Sequence, residues 1–283
     1  MRRPRLLRGT PEAASWDGLV EGMPNWLYSS VSIWVYEHFL TGTDPFGNYQ
    51  FDVIALRQLE RELRMPLPWG YTSAPIDQVM SNLIDPTMSI NILDWCVGRT
   101  RNFLRLEQLE VMLSEAGSAW TIGLDASDLP ELQRRVDSTV KELAKSSAEA
   151  GSRPAAHLAA AWSAQYGTHQ DPTTVYRESV KAVEAAAHLV ISPNNSSATL
   201  GTMIADLRNA PGKWTVQLKP DGVDAQEQIM GMMQLLWKAQ LDRHGTADEG
   251  APLSVTRGES EAALHLAATL VHLFTSGGIQ LSK

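Results

Sequence analysis

Apolar positions recur at helical spacing along most of the chain. The dense run from Trp26 to Phe39 predicts a buried helix. Asp52 to Leu63 predicts a second, with Ile54, Leu56, Leu59 and Leu63 offered to a core. Met65-Pro66-Leu67-Pro68 ends it, because proline lacks a donor and blocks the helical backbone. Further helices are expected from Pro75 to Leu83, Ser89 to Cys96 and Leu104 to Glu115, the last closed by Gly117. Ser118 to Leu124 is the best strand candidate. It is expected to pair in a small hairpin with the residues just after Leu124, or with a distant partner. Leu129 to Ala150 then reads as a charged helix, with Leu132, Val136, Val140 and Leu143 on one stripe.

Gly151-Ser152-Arg153-Pro154 interrupts the pattern, and a domain boundary is expected there. Beyond it the helix signals sharpen. Pro154 to Tyr166 comes first. Asp171-Pro172 supplies an N-cap and a first-turn proline to a helix carrying Tyr176, Val180, Val183, Ala187 and Val190. Thr199 to Asn209 is short and closed by Pro211-Gly212. Asp224, with Glu227 three residues on, opens a long helix whose core face is Ile229, Met232, Met233 and Leu236 and which runs to about Asp242. Thr256 and Glu259 open the last, with Ala263, Leu266, Ala267, Leu270, Val271 and Phe274 on a broad stripe that Gly277-Gly278 stops. The fold class expected is mainly α. A flexible tail (1–20) precedes a helical N-terminal domain with a small β-hairpin (21–150) and a helical bundle (151–283).

Composition narrows the function. With 43% apolar residues in 283, real cores can be buried. A single cysteine, Cys96, excludes an internal disulfide framework and a cysteine-based zinc site, and fits a reducing, cytoplasmic setting. No run of about eighteen apolar residues offers a membrane span. The glycines form no dinucleotide or phosphate-loop pattern, so no cofactor is expected. His265 and His272 lack a third ligand, and His157 and His169 have no evident partner in the sequence, so no metal is expected. A net charge of −8 gives no general attraction to nucleic acid, and any RNA contact must use a local basic patch.

One constellation could carry chemistry. Asp242-Arg243-His244-Gly245 stands at a helix–loop junction, with Lys238 six residues before the histidine. An imidazole can exchange a proton with a ribose 2′-hydroxyl or a leaving oxygen, and a guanidinium can hold phosphoryl charge. By spacing alone, the same residues fit an ordinary basic helix end followed by a terminating glycine.

Tyr176-Arg177-Glu178-Ser179-Val180-Lys181-Ala182-Val183-Glu184-Ala185 resembles the opening helix of the C-terminal domain in abortive-infection proteins of the AbiJ type. Ala198 to Gly201 resembles the short element that follows it, Asp242 to Thr246 the signature turn, and Ser260 to Phe274 the closing helix. These segments cover roughly the last 120 residues in the family's order. Leu109 to Trp120 is similar to the family's more variable N-terminal region, a sensor or specificity module. The resemblance implies a HEPN-superfamily bundle that forms a homodimer and cleaves RNA without metal in phage defence or toxin–antitoxin systems, under a phage or host protein trigger. It assigns catalysis to His244, with Arg243 and Lys238 as cations, where Lys238 stands in place of the family's arginine. Independently of the resemblance, Arg177, Lys181, Glu184 and His188 fall on one face of their helix, and if that face turns toward His244, Glu184 and Arg177, with the adjacent Asp242, would support the site. A non-catalytic dimerisation or protein-binding module is the alternative the superfamily also contains.

Overall fold

Caps and buried stripes place the helices close to where the sequence puts them. The computed structural model describes residues 19–70, 75–136, 146–147, 151–210, 212–218, 221–238 and 255–282. Among them are ten helices and three two-stranded antiparallel sheets, a mainly α fold. The chain divides into two compact units, Met1–Arg135 and Val136–Lys283, each with its own hydrophobic core.

In the first unit, α1 (Asn25–Phe39) buries Leu27, Val31, Trp34, Val35 and Phe39. The hairpin β1 (Leu40–Thr43) and β2 (Tyr49–Phe51) follows directly. Its loop is tied by Asp44, whose Oδ1 accepts the backbone N–H groups of Phe46 and Asn48 at 2.8 Å each. Helix α2 (Val53–Glu62) is capped by Asp52 and buries Leu56 and Leu59. Ile54, expected in the core, is exposed, because it falls on the opposite face from that pair. Helices α3 (Pro75–Asn82), α4 (Pro86–Arg99) and α5 (Phe103–Glu115) complete the layer. Trp34 Nε1 donates to the Arg105 carbonyl at 2.9 Å while Arg105 Nη2 donates to the Trp34 carbonyl at 2.7 Å, which fastens α5 to α1. Gly117 closes α5 with φ 67°. Val20, placed by the sequence in a flexible tail, bridges to Ser118.

The expected hairpin forms: β3 (Trp120–Leu124) pairs with β4 (Pro130–Arg134). This corrects the start of the helix expected from Leu129. Asp125 Oδ1 accepts Ser127 and Leu129 N–H groups, building the turn, and Leu132 is fully buried with its N–H on Asp94 Oδ1 at 2.8 Å. Tertiary contacts outweigh the helical charge pattern there.

The second unit contains α6 (Arg153–Tyr166), α7 (Pro172–Ile191), α8 (Leu200–Asn209), α9 (Ala225–Lys238) and α10 (Arg257–Thr275). Helix α7 is central, packed by α6, α8 and α10 and buried nearly all round. Alanines 161, 182, 186, 263, 267 and 268 are buried in this core, and short side chains let helices approach closely. Val190, Met232 and Leu266, expected inside, are partly buried against it. Strands β5 (Trp214–Val216) and β6 (Ile279–Leu281), which the sequence did not signal, pair and seal one edge with Trp214, Val216 and Ile279.

Candidate functional site

Of the residues singled out in the sequence, Asp242, Arg243 and His244 lie outside the described residues. Lys238 is the last residue of α9 and exposed. Its neighbour Trp237 presses against Gly201 in the first turn of α8. Glu184 reaches the same turn: its Oε1 accepts the Leu200 N–H at 2.8 Å. Thr199 and Thr202 exchange a reciprocal capping box there. The first turn of a helix exposes unpaired N–H groups, and here a carboxylate and two hydroxyls take them. Glu184 thus anchors α8 to α7.

Arg177 belongs to a different group of side chains. His157 Nδ1 on α6 lies 2.7 Å from Glu178 Oε2 on α7. The other carboxylate oxygen, Oε1, accepts from Lys181 Nζ at 2.8 Å and Arg177 Nε at 3.4 Å. Arg177 Nη2 also donates to Thr174 Oγ1 at 3.1 Å, and that hydroxyl donates to the α7 cap Asp171 at 2.6 Å. The Glu178 side chain is only 12% exposed, whereas His157, Arg177 and Lys181 are 32%, 52% and 45% exposed. Burial pushes the Glu178 carboxyl up, but the bonds from Lys181, His157 and Arg177 outweigh it and hold the group below its ordinary range. An ionised carboxylate has no proton to give, so His157 Nδ1 carries the hydrogen between them, and in the neutral ring Nε2 is the nitrogen with the lone pair. Among the described residues, Nε2 has no partner.

The chain builds this group simply. Helices α6 and α7 are joined by the short 167–171 segment and run back along each other, so residues equally far from the turn face one another. Counted from His169, His157 falls opposite Lys181, and Glu178, three residues before Lys181, lies on the same face of α7. That symmetry is the signal by which the sequence could have paired His157, which had seemed partnerless.

Two other histidines are structural. The Tyr166 hydroxyl donates to Glu261 Oε1 at 3.0 Å and lies 3.1 Å from His265 Nε2, which therefore donates to it. Burial, then the negative Glu261, pushes this phenol far up and keeps it protonated. His38 is walled by Trp34, Phe39 and Trp95, with Thr100 Oγ1 3.3 Å from Nδ1. Burial, with the nearby Arg105 and Arg99 charges, pushes its imidazole down to about 4. Cys96 is fully buried, and burial raises its thiol far out of the nucleophilic range. Among the described residues, no group of three or more His, Cys, Asp or Glu side chains is placed to hold a metal ion. No described helix is long and apolar enough to cross a membrane.

No known family, curated protein or solved structure matches this chain. Function is therefore weighed on the side chains themselves. What His157, Glu178, Lys181 and Arg177 can do together is accept a proton at a fixed imidazole nitrogen beside two cations.

Proposed function

We propose that the C-terminal unit is a metal-independent endoribonuclease of the abortive-infection type. The observation that carries the reading is the His157–Glu178 pair at 2.7 Å, with Lys181 and Arg177 on the same carboxylate. His157 Nε2 takes the proton of a ribose 2′-hydroxyl, and the 2′-oxygen attacks the adjacent phosphorus. The bond to the 5′-oxygen breaks, and that oxygen is protonated by solvent. The products are a 2′,3′-cyclic phosphate and a 5′-hydroxyl. Lys181 and Arg177 hold the phosphoryl oxygens as charge builds, and Glu178 keeps the imidazole in the working tautomer. His157 here takes the proton-transfer role that the resemblance gives to His244. Phage defence, the homodimer and the protein trigger rest on that resemblance alone.

The test is cleavage of single-stranded RNA by the purified chain in the presence of a chelator, with the product ends identified. His157→Ala is expected to lower the rate by ~10²–10⁴, the usual worth of a positioned acid–base group, and His244→Ala to leave most of it. Loss only in His244→Ala would move the chemistry to the helix–loop junction and refute the pair. The second reading, a non-catalytic dimerisation or protein-binding module, is favoured by the bonds that already tie Lys181 and Arg177 to Glu178. Absence of cleavage by the wild type, with stable association in solution, would select it.

A further inference from the structure

Helix α9 has a glycine where its own chain has no use for one. Gly231 stands in the middle of the helix and is exposed. In a helix interior, glycine is less favourable than alanine by ~1 kcal/mol, because its backbone loses more freedom on folding. Close packing is the usual reason for keeping one. Gly98 and Gly201, inside α4 and α8, each have a neighbour that a β-carbon would meet within 4 Å. A β-carbon at Gly231 would meet nothing within 4 Å.

The residues around Gly231 share one stripe. Glu227, Gly231, Leu235 and Lys238 follow one another a helical turn apart, all exposed, opposite the buried Ile229, Met233 and Leu236. Leu235, one turn beyond the glycine, is 65% exposed. Among the described residues, neither Glu227 nor Lys238 has an ion-pair partner, and neither finds an opposite charge three or four residues along α9. The stripe thus carries a gap, a large apolar side chain, an anion at one end and a cation at the other.

Read against its own reverse, this order is complementary. A two-fold axis level with Met233 would set Leu235 of one copy over the partner's Gly231 and lay Lys238 beside the partner's Glu227 and Gln228. Symmetry then repeats both contacts. We infer that two copies of this chain associate through α9, antiparallel, with each Leu235 filling the gap over the other copy's Gly231 and Lys238 pairing with Glu227 across the seam. The glycine lets the helix axes approach to about 8 Å, the near end of the usual range. A parallel pair would stack Leu235 on Leu235 and Lys238 on Lys238 and leave the glycine unfilled. A helix of another protein would have no cause to carry the reversed charge order. The inference rests neither on the cleavage reading nor on the resemblance.

The experiment is sedimentation equilibrium of the full chain without RNA. One helix pair buries less than a standard interface, so a Kd on the order of micromolar is expected. The wild type should pass from monomer to dimer across that range. Leu235→Ala should weaken association ~10-fold. Glu227→Lys should weaken it as well, and Lys238→Glu on that background should restore it, because both seams then carry opposite charges again. Gly231→Ala should weaken the dimer while raising the thermal midpoint measured at dilution, a combination that misfolding cannot produce. His157→Ala should leave association unchanged, which keeps this test apart from that of the nuclease. A wild type that stays monomeric, a dimer indifferent to Leu235→Ala and Gly231→Ala, or a charge reversal without rescue overturns the inference.

Discussion

Gly201 lies beneath the indole of Trp237: a β-carbon added at Gly201 would stand 2.6 Å from Cζ2 of that ring. The contact brings the first turn of α8 and the last turn of α9 closer than any larger residue allows. On a free helix surface, replacing glycine by alanine gains ~1 kcal/mol. Here Gly201→Ala is expected to cost ~1–3 kcal/mol through overpacking, lowering the thermal midpoint by ~2–4 °C per kcal/mol. Trp237→Leu on that background should recover part of the loss. A midpoint equal to or above wild type would contradict this packing.

Glu178 makes the second unit sensitive to acid. Burial works against its charge, yet its three basic partners keep the folded pKa below the usual value of 4.5. The unfolded chain therefore binds this proton first. Stability from the group is fully present above 4.5 and is lost as pH falls through the folded value. Glu178→Gln should cost ~1–3 kcal/mol at neutral pH. The gap between variant and wild type should narrow near pH ~3, below the ordinary carboxylate range. Urea unfolding at both values checks this, and a gap independent of pH would count against the charge.

His38 acts in a different window. Its folded pKa of about 4 lies below the ordinary 6.5, so the folded state holds the ring neutral while the unfolded state takes a proton. Its contribution is intact above 6.5 and is lost as pH falls from there toward 4. The groups that perturb it are Arg105, Arg99 and, in the opposite sense, Asp52. His38→Gln should flatten the stability profile of the first unit across that window, as measured by thermal unfolding at several pH values. An unchanged slope would mean that another group sets it.

The opening of α10 rests on a reciprocal cap. Thr256 Oγ1 accepts the Glu259 N–H at 3.2 Å, and Glu259 Oε2 accepts the Thr256 N–H at 2.8 Å. Thr256→Ala is expected to cost ~1 kcal/mol and to speed hydrogen exchange in the first turn of α10 without changing the rest of that helix. Faster exchange throughout α10 would show that the cap supports more than its own turn.

The helices were legible where short-range chemistry and long-range packing agree. Asp171-Pro172, Asp224 and the Thr256–Glu259 pair each act within one turn, so four consecutive residues contain the whole signal. The β3–β4 hairpin was half legible. Trp120 to Leu124 has strand composition, but the partner's inward residue, Leu132, also fits a helical stripe, and only Asp94 and the core decide between them. The pair β5–β6 joins segments far apart in the chain and had no local mark. The site shows the same limit. His157 and Glu178 become neighbours only when α6 folds back on α7. The acidic residues of α7 look like a solvated face until Glu178 is found buried among three basic partners.

The two cores share no residue, and each is assembled from its own continuous stretch of chain. In evolutionary terms, such a chain can change its two halves at different rates. Trp69 packs against the core of the first unit, whereas His157 and Glu178 lie on the helices that build the core of the second. A lineage could thus rebuild the core of one unit without rewriting the core of the other.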